Sequence, residues 1–106
     1  MAPDSLGSYR LTPRARADLE DIWLYTAEHW SPDQANIYVD DLVQSFEALV
    51  GMPLIARERD EFDPPVRLHP SGRHLIVYRL VEDHIEIVRV LGGRQDWAAI
   101  LQALDP

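Results

Sequence analysis

An α+β fold is what this 106-residue sequence predicts, in the order β-α-α-β-β-β-α, with a helical hairpin packed on a mostly antiparallel sheet. Three observations carry that expectation. Apolar residues recur at helical spacing through the first half, the period shortens to β-rich runs after the polar segment Arg57–Pro65, and the two kinds of stretch are grouped rather than alternating.

The elements follow one by one. Met1–Gly7 has the composition of a disordered tail, and the remainder, 8–106, forms a single domain. Ser8–Leu11 suits a short strand. Thr12 is a good N-cap, and Pro13 fits the first helical position, where its missing N–H has no partner to lose. Ala15, Leu19, Ile22, Trp23 and Thr26 then form a helical stripe that ends near Trp30, because Pro32 disfavours helical geometry in the residue before it. Ser31 and Gln34 make a capping box around Pro32, and Ala35, Tyr38, Val39, Leu42, Phe46 and Leu49 mark one face of a second helix stopped by Gly51 and Pro53. With almost no loop between them, the helices must fold back on each other. Val66–His69, Arg73–Val81 and His84–Leu91 read as strands, separated at hairpin spacing by Pro70-Ser71-Gly72 and Glu82-Asp83. Gly92-Gly93 ends the last strand, and Trp97, Ile100, Leu101 and Leu104 space out a short C-terminal helix over Arg94–Leu104.

Composition excludes several chemistries. With no Cys there is neither a disulfide scaffold nor a thiolate metal site, and with no Lys there is neither Schiff-base chemistry nor a P-loop lysine. No apolar run approaches the roughly 20 residues of a membrane helix, and the first residues lack a signal-peptide pattern, so the expected location is the cytoplasm, away from membranes. All ten basic residues are Arg, against eighteen acids, giving a net charge of −8. That balance argues against direct nucleic-acid binding, which normally rests on a basic surface. The charge is uneven: residues 1–53 hold three Arg and nine acids, whereas residues 54–106 hold seven Arg and nine acids. Within Pro64–Val81 stand Arg67, Arg73, Arg79, His69 and His74 with no acid at all.

Tyr9-Arg10-Leu11-Thr12-Pro13, Ala17 to Ile22, Trp30-Ser31-Pro32 with Gln34-Ala35, Gly72 to Arg79 and Ile85 to Leu91 together form an ordered set of motifs. Across about nine tenths of its length the chain resembles the RelE/ParE family of bacterial type II toxins, and within it the ParE branch. One departure is Gly92-Gly93-Arg94-Gln95-Asp96 after the last strand, where relatives often carry a His directly after the Leu. The resemblance implies a toxin that inhibits DNA gyrase through its A subunit, without catalytic residues, metal or cofactor. Its implied partner is a ParD-like antitoxin with a ribbon-helix-helix N-terminal part. The alternatives are a RelE-type ribosome-dependent mRNA endoribonuclease and an inactive interaction domain of the same fold. The missing Lys and the acidic balance weigh against the nuclease, which needs clustered cations around a phosphodiester.

Candidate residues follow. Arg94, Gln95, Asp96 and Trp97 leave the scaffold through the diglycine and are candidates for target binding. For the antitoxin, a helix-in-groove partner with carboxylates would meet Ile22, Leu42, Ile76 and Tyr78 as apolar contacts and Arg67, Arg73 and Arg79 as cations. Against this, Arg79 and Arg89 on strands suit structural ion pairs with Glu82, Glu86 or helix acids, and His74 beside an apolar run suits a packed residue better than a general base. Tyr78 suits half-buried core with its hydroxyl at the rim, and Trp23 suits core. Trp30 suits either a staple-type contact or binding. Asp18, Glu20, Asp21, Asp40 and Asp41 read as a solvated helix face rather than a metal site.

Overall fold

Two proline-led helices, a short third helix and a five-stranded sheet make up the computed structural model, which describes residues 7–103. Strand β1 (Ser8–Leu11) leads into α1 (Pro13–His29), followed by α2 (Pro32–Gly51), β2 (Glu58–Arg59), β3 (Val66–Ser71), β4 (His74–Val81), β5 (His84–Gly92) and α3 (Trp97–Gln102). Both helices start on the expected caps: Thr12 Oγ1 accepts the Ala15 N–H at 3.0 Å and Ser31 Oγ accepts the Gln34 N–H at 3.0 Å. The expected tail lies outside the described residues except for Gly7, whose N–H donates to the Asp83 carbonyl at 3.0 Å. Leu104 also lies outside them.

The sheet order is β1-β5-β4-β3-β2. β3, β4 and β5 form the antiparallel meander, β1 adds parallel to β5, and β2 pairs antiparallel with β3 over Glu58↔Arg67 and Arg59↔Val66. The segment Arg57–Pro65 was expected to be loop throughout, and β2 corrects that. Two residues carry no periodicity, so the pairing is a tertiary effect. A bulge in the β4–β5 ladder, where Val77 pairs Arg89 and Tyr78 pairs Ile87, leaves Val88 as the extra residue. Its carbonyl accepts the Thr12 hydroxyl at 2.8 Å, so the bulge seats the start of α1.

Side-chain alternation splits the core into two layers. Ile76, Tyr78, Ile85, Ile87 and Val90 pack against Ala15, Leu42, Phe46 and Leu49 of the helical hairpin. Val77 and Leu91, pointing the other way, join Val66, Phe62 and Leu101, so α3 covers the second face of the sheet. α3 starts at Trp97, three residues later than expected. Asp96 caps it by accepting the Ala99 N–H at 3.2 Å, and Arg94 and Gln95 belong to the preceding turn.

Candidate functional site

Two turns meet at one end of the sheet and are tied together through backbone. The first, Gly72-Arg73, joins β3 to β4 across the Ser71↔His74 pair. Gly72 has φ +60°, and a Cβ there would stand 3.0 Å from the Tyr38 hydroxyl oxygen, so both backbone and space call for glycine. Tyr38 reaches this turn from α2. Its hydroxyl oxygen accepts the Arg73 N–H at 3.1 Å and lies 2.6 Å from His74 Nδ1. Desolvation lowers the His74 pKa, with Asp18 acting the other way, and so favours the neutral ring. The phenol then donates to Nδ1, which leaves the ring proton on Nε2. The second turn follows β5. The Gly93 N–H donates to the Arg73 carbonyl at 2.9 Å, the Gly92 N–H to Gln95 Oε1 at 2.6 Å, and the Gln95 N–H to the Gly92 carbonyl at 3.0 Å.

Two open clefts flank these turns. One, of about 440 Å³, lies between the helical hairpin and the sheet end and is walled by Tyr25, Trp30, Tyr38, Arg73 and His74. The other, of about 780 Å³, shares Tyr25, Arg73 and His74 and adds Arg94, Gln95 and Trp97. Among the described residues no Asp or Glu lines either, although the chain has eighteen acids. Trp30 is 72% exposed and Tyr25 61% exposed, the latter stacked on His29 with ring centroids 3.8 Å apart. Guanidinium cations at the mouth, aromatic walls and a neutral imidazole donor are groups that suit carboxylates and flat apolar surfaces.

The structure corrects several sequence expectations. Leu42, Ile76 and Tyr78 are 0–1% exposed and belong to the core between hairpin and sheet, so none of them offers a contact surface. The Tyr78 hydroxyl, expected at the rim, is buried and donates to the Pro53 carbonyl at 3.0 Å. Ile22 is half-buried at the core margin. Arg79 is held by Glu86 at 2.8 Å, the cross-strand pairing foreseen as its alternative. Arg67 turns inward to donate to the Ala56 carbonyl. Asp18 is no part of a solvated face, because it pairs with Arg89 at 2.8 Å. Trp23 is half-buried, and its indole N–H donates to Asn36 Oδ1 at 2.8 Å.

Among the target candidates, Arg94 alone has an exposed side chain with no hydrogen-bond or ion-pair partner among the described residues. Gln95 and Asp96 hold backbone N–H groups, as described above. Trp97 is half-buried edge-on to Phe62 at 6.3 Å, with the Arg59 guanidinium 5.6 Å above its ring. Arg73 and Arg94, assigned to different partners by sequence, thus border the same cleft. Sequence reasoning missed Tyr38 as the brace of the Gly72-Arg73 turn, since nothing local links residues thirty-five apart.

Comparison with known proteins agrees with this fold. The family model described as "ParE toxin of type II toxin-antitoxin system, parDE" matches residues 9–97. The chain is 39% identical over 89 residues to Toxin ParE1 of Mycobacterium tuberculosis, covering 83% of this chain and 91% of that protein. It is 37% identical over 83 residues to Toxin ParE1 of Caulobacter vibrioides, covering 78% and 85%. Among solved structures, a chain of the chromosomal ParDE TA system from P. aeruginosa superposes with a TM-score of 0.71 at 22% identity, over 85% of this chain and 98% of that one, and so shares its fold. The match across residues 9–97 and the identity to two ParE1 toxins place this chain in the ParE toxin family of type II toxin-antitoxin systems.

Proposed function

We propose that this toxin works in the cytoplasm by binding the A subunit of DNA gyrase, without catalysing a reaction, and that a ParD-like antitoxin with a ribbon-helix-helix N-terminal part neutralises it. The observation that carries the reading is the ParE family match over nearly the whole described chain. The site chemistry supports the non-catalytic part: His74 has its Nδ1 engaged by a phenol, and no carboxylate among the described residues hydrogen-bonds it as an orienting group would. Target contact falls to Arg94, with Gln95, Asp96 and Trp97 holding the turn that presents it. Antitoxin contact falls to Arg73, with Ile22 at the margin of the hairpin; Arg67 and Arg79 contribute only after giving up their present partners.

A second reading has one observation in its favour, the convergence of Arg73, His74 and Arg94 on a single cleft, which would suit an RNA phosphodiester. Inducing the chain without its antitoxin separates the two. The gyrase reading expects the DNA-damage response and broken or entangled DNA, with no new ribosome-dependent cuts in mRNA by primer extension. Cuts positioned on codons that precede any DNA damage would establish the nuclease instead.

A further inference from the structure

The two apolar layers of the sheet are covered very unequally. Val66, Val77 and Leu91 are 0–1% exposed, yet among the described residues the only regular element over them is α3, six residues long. A helix of that length has no stability of its own in water, so its docking is its whole support. α2 is anchored by four buried side chains and α3 by one, Leu101. The other fastening lies at the opposite end of α3. Trp97 packs edge-on to Phe62 at 6.3 Å, and the Arg59 guanidinium stands 5.6 Å from the centre of its ring, with Glu61 holding that guanidinium at 2.8 Å.

We propose that α3 is a latch: it opens as a unit at a lower cost than global unfolding, the Arg59–Trp97 contact is its clasp, and its docking sets the order of the turn that carries Arg94. That turn is tied from both sides. On one side the Gly93 N–H donates to the Arg73 carbonyl at 2.9 Å. On the other, the Trp97 N–H donates to the Gln95 carbonyl at 2.8 Å, and Asp96 accepts the Ala99 N–H at 3.2 Å, so the turn runs directly into the first turn of α3. Opening α3 releases the second side and leaves the first, which loosens Gln95 while the β4–β5 ladder stays whole. It also bares the apolar face of Val66, Val77 and Leu91, which keeps the open state a minor one. Resting on the reading of Arg94 as the target contact, the latch decides how far that side chain is ordered before the target arrives.

Native-state hydrogen exchange on the full chain tests the latch, with Arg59→Gln to release the clasp and Arg59→Lys to keep a cation over Trp97. In the unaltered chain the Gln95, Ile100 and Leu101 amides should exchange at one common opening rate. That rate should be at least about tenfold faster than for Ile76 to Tyr78 and depend less steeply on urea. The Gly93 amide should stay slower than Gln95. Arg59→Gln should speed the Gln95, Ile100 and Leu101 amides about two- to fivefold, the worth of an exposed cation over an aromatic ring, and Arg59→Lys should stay closer to the unaltered chain. Trypsin cleavage of the folded chain after Arg94 should rise by the same factor in Arg59→Gln. A single rate shared by α3 and the β4 core, or an α3 indifferent to Arg59→Gln, would overturn the latch. Core-like protection of Gln95 beside fast exchange at Ile100 and Leu101 would overturn its link to the turn. A latch that behaves as described in a chain without effect on gyrase removes the target reading alone, so the two failures are distinct.

Discussion

The Asp18 carboxylate grips Arg89 from both sides of its guanidinium edge, accepting Nε at 2.8 Å and Nη2 at 3.0 Å, and it also accepts the Val90 backbone N–H at 2.9 Å. One side chain of α1 thereby fixes β5 just after the bulge. Both partners are largely withdrawn from water, at 13% and 14% side-chain exposure, and the bond to Asp18 raises the Arg89 pKa above its already high value. Removing one partner leaves a charge with little solvent and an amide without its acceptor. Asp18→Ala should therefore cost about 2–4 kcal/mol in urea unfolding. A double-mutant cycle with Arg89→Ala should return a coupling above about 1 kcal/mol. A cost within about 0.5 kcal/mol, normal for exposed acids, would mean that the pair does not hold the helix.

The Tyr38 brace predicts a local effect. Tyr38→Phe removes the acceptor of the Arg73 N–H and the donor to His74, at a cost of about 1–2 kcal/mol, and it should speed hydrogen exchange at the Arg73 amide more than elsewhere. Gly72→Ala meets both a positive φ and the Tyr38 hydroxyl, so it should destabilise by about 1 kcal/mol or more. If Gly72→Ala stabilises the chain, the turn is not as described.

His74 gives a pH dependence of definite sign. Burial holds its pKa below the ordinary 6.5, so the unfolded chain takes up a proton before the folded one does. The contribution is full above pH 6.5 and is lost as pH falls through the lower folded value. His74→Gln should flatten that part of the stability profile below about pH 6.5. A steeper loss in the variant would contradict the assignment of a neutral, phenol-bonded ring.

The C-terminal segment divides into a presented and a packed part. Arg94→Ala should leave stability within about 0.5 kcal/mol, because its side chain is exposed. Leu101, 2% exposed against Val66, Val77 and Leu91, should cost about 2–4 kcal/mol as Leu101→Ala. Truncation after Gly93 should uncover this whole layer and unfold or aggregate the chain. A folded, fully toxic truncate would show that the segment serves neither stability nor the target.

Much of the scaffold was legible because its signals are local. Thr12-Pro13 and Ser31-Pro32 announce helix starts through chemistry within one turn, and Ile76 to Val81 announces a strand through its residue types. What was illegible depends on distant partners. Asp18 has the spacing of a solvated helix acid, and only Arg89, seventy-one positions away, makes it structural. Leu42, Ile76 and Tyr78 have the pattern of a groove lining or of a core equally well, and it is the closure of the hairpin onto the sheet that buries them. Arg73 and Arg94 looked like members of separate surfaces because the Gly93 to Arg73 hydrogen bond that joins their turns leaves no trace in either local sequence.

The proposal that this toxin binds gyrase, with Arg94 presented to it, is put to the purified chain and purified gyrase. Supercoiling of relaxed plasmid should fall as the toxin is added, the toxin should be retained by the immobilised A subunit, and Arg94→Glu should weaken both effects while the variant stays folded. Undiminished supercoiling with no retention on the A subunit, while the same preparation cuts mRNA on translating ribosomes, would contradict it.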